Sequence, residues 1–112
     1  MNETLEREIN QLHAEFCAGL ADPKRLMILY SLSEKPLKVN EVSEALKIPQ
    51  PAASRHLKML RERGMVYATR QGSSVEYRLA DTRLIEALDL LRAAMRDHLS
   101  HNAEIVDALE NT

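Results

Sequence analysis

The 112-residue chain has a single cysteine, one phenylalanine and no tryptophan. A lone thiol, Cys17, can form neither an internal disulfide nor, by itself, a zinc site, so the cysteine count gives no sign of covalent or metal stapling of the fold. Aromatics make up only 4% of the chain, so the core must come from Leu, Ile, Ala and Met, a composition suited to helices. No stretch approaches the run of about 18 apolar residues that a membrane span requires. The first twenty residues are acidic and amphipathic, unlike the basic and then apolar pattern of an export signal. A Gly-rich phosphate loop and a convergent acid pair are also missing, which removes two common sequence signs of catalysis. The expectation is a cytoplasmic chain with no membrane partner, folded as one domain over residues 1–112 around one modest core.

The net charge of −2 conceals a division along the chain. Residues 1–21 carry one Arg against four Glu, and residues 80–112 carry three Arg against seven acids. Residues 22–79 carry eleven Lys or Arg against six acids. A basic middle between acidic ends is the asymmetry expected of a surface that meets phosphates, although ordinary surface charge is the alternative.

Periodicity divides the chain into elements. Leu5, Ile9, Leu12 and Phe16 fall on one face of a first helix, which the spacing predicts to end at Gly19 to Ala21. Asp22-Pro23 opens a second, with Asp as N-cap and Pro at the first helical position. This helix buries Leu26, Leu29 and Leu32 and stops at Ser33 to Pro36. Asn40 is the expected cap of a short third helix that buries Val42, Ala45 and Leu46. After the corner Ile48-Pro49, the stretch PQPAASRHLKMLRERG (49–64) reads as a fourth helix closed by Gly64. Ala53, Leu57 and Leu60 lie within about 60° on its wheel and form the buried stripe. Gln50, Ser54, Lys58 and Arg61 share a second face, with Arg55 beside them. Beyond Gly64 the period becomes two: Met65 to Thr69, then Val75, Tyr77 and Leu79, joined by a turn at Arg70 to Ser74, a β-hairpin with a cationic tip.

The last segment is a long helix from about Thr82 to Leu109. Leu84, Leu88, Leu91, Met95, His98, Asn102, Ile105 and Leu109 follow a heptad seam. A helix about 40 Å long exceeds what a small domain covers, so the first and last helices are expected to pair with their copies in a homodimer.

Three short helices, the last one cationic, followed by a basic-tipped hairpin give the winged helix-turn-helix arrangement, mainly α with a small β-hairpin wing. The stretches LADPKRLMILYSL, NEVSEALKIPQPAASRHLKMLRERGMV and GSSVEYRL resemble the ArsR/SmtB family of small dimeric bacterial repressors. The resemblance spans about Phe16 to Leu91 and implies a homodimeric regulator binding double-stranded DNA at an inverted repeat. It implies that Gln50, Ser54 and Arg55 touch DNA, and spacing adds Lys58 and Arg61. Arg70, Gln71 and Ser73 at the wing tip are expected on phosphate or minor groove, the alternative for each being solvated surface charge. His56 lies nearer the core stripe and reads as an internal packing or hydrogen-bonding histidine. Two departures stand out: Lys47 occupies the corner where a glycine is usual, and Pro49 the place of a Ser or Thr cap. A competing reading is a module whose long last helix docks another protein. An enzyme is disfavoured because Ser54 and His56 point about 200° apart on one helix and cannot pair as nucleophile and base.

The resemblance also implies an inducer, often a metal, yet the family's ligand positions are not filled here. Lys38-Val39-Asn40 stands where arsenic and cadmium sensors carry Cys-x-Cys. Of the zinc-sensor set, Asp81 and Asp97 match, but Arg83 and Ala94 replace imidazoles, and two carboxylates alone bind zinc poorly. Tyr30 stands where a dithiol type has cysteine. No cofactor is therefore implied with any force. A weaker constellation, His13 with Cys17 and His98 with His101, could converge across a dimer as an N/S site for zinc or a similar ion. Against it, His98 and Asn102 are seam positions that set register, and Cys17 reads as a small buried filler.

Overall fold

The computed structural model describes residues 1–111. These fall into two compact units, Met1–Thr82 and the segment from Arg83 onward.

The first unit opens with helix α1 (Glu3–Leu12), which runs through a π-helical turn at His13–Cys17 into the short α2 (Ala18–Leu20). Asn2 caps α1, its Oδ1 accepting the Leu5 amide at 2.7 Å. The chain stays helical through Leu20 and stops within the Gly19 to Ala21 stretch, as the spacing predicts. Gly19 is buried, and a methyl group there would collide with Met65 Cε and crowd the Arg63 side chain, so the missing Cβ lets this turn approach the core. The stripe of α1 is not core: Leu5, Ile9 and Leu12 are 42%, 44% and 51% exposed.

Helix α3 (Pro23–Glu34) starts as the sequence predicts, with Asp22 Oδ1 accepting the Lys24 amide at 2.8 Å and Pro23 at the first turn. It buries Ile28, Leu29 and Leu32, whereas Leu26 is only half-buried. The shift has a packing cause: α3 meets helix α4 (Val39–Leu46), helix α5 (Gln50–Glu62) and strand β3 (Ser74–Leu79), so its apolar surface is wider than one leucine row.

Helix α4 is capped differently from the expectation. Asn40 lies inside it, and Lys38 is the N-cap, its amide donating to Glu41 Oε1 at 2.8 Å. The glutamate at the third position accepts the N-cap amide, and the helix starts two residues before the place where Asn40 would have capped it. Of the three residues expected inward only Val42 is buried; Leu46 is half-buried and Ala45 exposed.

Both helices of the helix-turn-helix end in the same motif. At the end of α5, Gly64 takes φ +77°, its amide donating to Arg61 O at 3.0 Å and that of Met65 to Leu60 O at 2.9 Å. At the end of α4, Lys47 takes φ 56°, ψ 48°, with Lys47 N–H to Glu44 O at 3.3 Å and Ile48 N–H to Ser43 O at 3.1 Å. These are paired Schellman closures. The second places a lysine in the left-handed region.

Strands β2 (Val66–Gln71) and β3 form an antiparallel hairpin, and the two-residue β1 (Leu37–Lys38) adds to its other edge, giving the order β1-β3-β2. The short third strand is not visible to periodicity. The turn is also tighter than the sequence suggests: Arg70 and Gln71 lie in β2, paired with Val75 and Ser74. Only Gly72 and Ser73 form the loop, with Gly72 at φ +64° in the first position, where two-residue hairpins favour glycine. The core of Ile28, Leu29, Val42, Ala53, Leu57, Leu60 and Met65, each fully buried, fills the space between α3, α4, α5 and the sheet.

The second unit is one helix, α6 (Arg83–Glu110), of 28 residues, about 42 Å long. From Leu91 at 65% to Leu109 at 70% its apolar seam is exposed. Within the seam, Asn102 Nδ2 lies 3.1 Å from His98 Nε2.

Left-handed backbone costs a non-glycine residue on the order of 1 kcal/mol. Lys47→Gly is therefore expected to raise the urea midpoint, the relief being partly offset by backbone entropy for a net gain below about 1 kcal/mol. Lys47→Val, β-branched at the same φ, is expected to lower it.

Candidate nucleic-acid interface

The candidate surface is built on α5. Burial of Ala53, Leu57 and Leu60 at 0% exposure fixes which side of the helix faces inward. That leaves Gln50, Ser54, Arg55, Lys58 and Arg61 all exposed, as their positions on the wheel require. Arg55 and Arg61 form no ion pair among the described residues. Lys58 Nζ lies 4.0 Å from Glu62 Oε1, an exposed i,i+4 pair, worth a few tenths of a kcal/mol and easily exchanged. Pro49 offers no side-chain cap at the start of α5, and Pro51 lacks an amide hydrogen.

In the wing, Arg70, Gln71 and Ser73 are exposed, but the strand register separates them. Cross-strand partners share a face. Val66, Ala68 and Arg70 therefore share a face with Leu79, Tyr77 and Val75, and Val66 is buried, so this is the core face. Thr69 and Gln71 lie on the opposite face with Glu76 and Ser74, as do Tyr67 and Arg78. Arg70 prolongs the inner face beyond the core, while Gln71 belongs to the outer one.

Arg25 is the residue whose role the sequence does not reveal. Its side chain is only 12% exposed. Nε donates to Gly19 O at 2.6 Å and Nη2 to Ala18 O at 3.4 Å, while Nη1 lies 3.4 Å from His56 Nδ1 and 3.8 Å from Asp22 Oδ2. The guanidinium thus meets two carbonyls at the end of the first helical segment, of which Ala18 O also accepts the Ala21 amide at 3.4 Å, the N-cap of α3, and the middle of α5. A second arginine acts similarly: Arg63 Nη1 donates to Ala14 O at 2.6 Å and Glu15 O at 3.1 Å, tying the π turn to the end of α5. The Ala-Asp-Pro-x-Arg string draws attention to Arg25, but pairs 31 and 49 residues apart leave no trace in local spacing. His56, half-buried and facing Arg25, has the internal hydrogen-bonding place that its wheel position suggests.

The metal candidates are differently placed. Cys17 is exposed at the end of the π turn, not the buried filler expected. His13, His98 and His101 are also exposed. Within a single chain, no group of three or more His, Cys, Asp or Glu among the described residues could hold a metal ion. No helix among them is long and apolar enough to cross a membrane.

A helix-turn-helix with a polar, cation-bearing second helix beside a three-stranded wing defines a winged helix-turn-helix DNA-binding regulator. Residues 22–68 match the family described as bacterial regulatory protein, arsR family. The HTH-type transcriptional repressor SmtB of Mycobacterium tuberculosis is 41% identical over 92 residues, covering 81% of this chain and 68% of that protein. Among solved structures, the homodimeric winged helix-turn-helix DNA-binding domain of Mb0332 from Mycobacterium bovis aligns with a TM-score of 0.76 at 27% identity, over 90% of this chain and 93% of that one. The transcriptional repressor BigR from Xylella fastidiosa aligns at 0.71 and 30% identity, over 84% and 96%. The chain belongs to the arsR family of bacterial regulatory proteins, a family of transcription regulators.

Asp22 gives the site an acid-sensitive joint. The Lys24 amide holds its carboxyl below the usual carboxylate range, and the guanidinium of Arg25 adds to this against partial desolvation. A lowered folded-state pKa means that the stabilisation is complete above the ordinary aspartate value near ~4 and is lost as pH falls through the lowered one. Asp22→Asn keeps a cap acceptor without the charge. Its stability deficit in urea titrations is expected to be largest above about pH 5 and to shrink as the wild type is acidified.

Proposed function

We propose that the protein is a homodimeric, sequence-specific repressor acting at an inverted-repeat operator, with the whole chain serving as one functional domain. One observation carries the reading: five polar or cationic side chains, Gln50, Ser54, Arg55, Lys58 and Arg61, stand exposed on a helix whose other side is completely buried. A rigid helix held in this way can lie in the major groove, with Gln50, Ser54 and Arg55 toward base edges and Lys58 and Arg61 toward phosphate. Arg70, Gln71 and Ser73 of the wing would reach the backbone or minor groove. The exposed apolar residues of α1 and those of α6 from Leu91 to Val106 are surfaces through which two copies would pair, as expected for a twofold reader of a palindrome. The homodimeric state of the Mycobacterium bovis relative and the repressor roles of the SmtB and BigR relatives support the same assignment. Function by binding alone, without catalysis, and cytoplasmic residence go with it.

The exposed seam of α6 also suits a second reading, in which this helix docks a different protein and DNA binding is secondary. Sedimentation equilibrium separates the two: a dimer of the 12.7 kDa chain at micromolar concentration is required by the first. On an inverted-repeat duplex, Arg55→Ala is expected to weaken specific binding by about tenfold to a hundredfold, the worth of one good base contact. Lys58→Ala is expected to weaken specific and nonspecific binding alike and to lower the salt dependence. Full specific binding by the Arg55 variant would remove that residue from the contact set.

A further inference from the structure

We infer that His56 and Arg25 are positioning residues that set the roll of α5 about its own axis, with His56 acting as a neutral acceptor. The inference rests on the proposed reading of α5 as the DNA-reading helix. An arginine has only donors, so its Nη1, 3.4 Å from His56 Nδ1, can bond that atom only if Nδ1 carries no hydrogen. The geometry therefore assigns the tautomer with hydrogen on Nε2. The other end of the tie is fixed: Arg25 is itself held by the carbonyls of Gly19 and Ala18 and flanked by Asp22 Oδ2. His56 is thus anchored, through one guanidinium, to the end of the first helical segment and to the N-cap of α3.

The position of the tie on the helix explains why roll is what it controls. At about 100° per residue, His56 lies on one flank of the Ala53, Leu57, Leu60 stripe, and Gln50, Ser54 and Arg61 on the other. The stripe is made of small or flexible apolar groups, which resist translation toward the core but resist rotation about the axis only weakly. A polar contact on one flank supplies that resistance. A roll of about 10° moves a group ~6 Å from the axis by about 1 Å, which is enough to spoil a two-bond contact with a base. Phosphate attraction is long-ranged and tolerates such a shift. Losing the tie should therefore cost specificity and leave nonspecific affinity in place.

The test compares affinity for an inverted-repeat duplex, selected from a randomised pool by the wild-type protein, with affinity for a scrambled duplex of the same length at one salt concentration. His56→Leu is expected to lower the ratio of the two affinities by about tenfold, the order of one weakened base contact, with nonspecific affinity unchanged. His56→Asn, whose Oδ1 can take the place of Nδ1, is expected to recover most of the ratio. A Leu variant with the wild-type ratio, or an Asn variant as poor as Leu, overturns the inference. A merely structural role would lower the melting temperature without separating the two duplexes. Because His56→Leu could fail to fold, the wild-type protein gives an independent reading by long-range 15N–1H correlation spectroscopy of the ring. Hydrogen on Nε2 supports the assignment, and hydrogen on Nδ1 overturns it. Wild-type protein that selects no sequence at all would instead overturn the proposed function, and this inference with it.

Discussion

The guanidinium of Arg25 is the constraint on which the first eighty residues depend. It is nearly buried and touches the carbonyls closing the first helical segment, the cap of its own helix α3, and a ring in the middle of α5, 31 residues along the chain. A buried charge must be satisfied by good partners, since leaving it unpaired costs several kcal/mol. That requirement draws the segments together in one arrangement. Dispersion among Ile28, Leu29, Leu57 and Leu60 supplies the cohesion, but apolar groups of this kind tolerate more than one packing. The directional bonds of Arg25 single one out.

Around that point the molecule divides its surfaces economically. Helix α5 places only Ala53, Leu57 and Leu60 in the core among its thirteen residues, leaving both flanks available for other work. One flank meets Arg25, and the other faces solvent with its glutamine, serine and cations. Its ends are closed by backbone geometry, which leaves the side chains free of capping duties: Pro49 enters without a side-chain hydrogen bond, and Gly64 leaves through a left-handed residue. The matching closure at Lys47 reaches the same geometry without glycine, at a modest cost in backbone strain. That exchange keeps a cation at the elbow between the two helices.

Much of this architecture is legible in the sequence because its signals are local. The stripe of α5, the Asp22-Pro23 start of α3, the left-handed stop at Gly64 and the long seam of α6 each depend on residues a few positions apart, and each appears in the structure. The solvent-facing set on α5 follows from the stripe by elimination. What escapes is whatever depends on distant neighbours or on competition between equal local choices. Asn40 is a good cap in isolation, but Glu41 reaches back to Lys38 and moves the helix start. Leu26 yields to Ile28 because α3 is contacted from several sides. A strand of two residues has no period to detect, and Leu37 is recruited by Tyr77 across the sheet. The partners of Arg25 and Arg63 are settled only when the chain is folded.

The hairpin register has one more consequence. Along β2 the side chains alternate, so buried Val66 and exposed Arg70 belong to one parity and Gln71 to the other. The anchor of the wing and the cation near its tip are therefore locked in phase, four residues apart. Insertion of one residue between them would reverse every side chain beyond it, turning the arginine outward and the glutamine inward. Evolution can lengthen such a wing only in steps of two if the same charge is to face the same way.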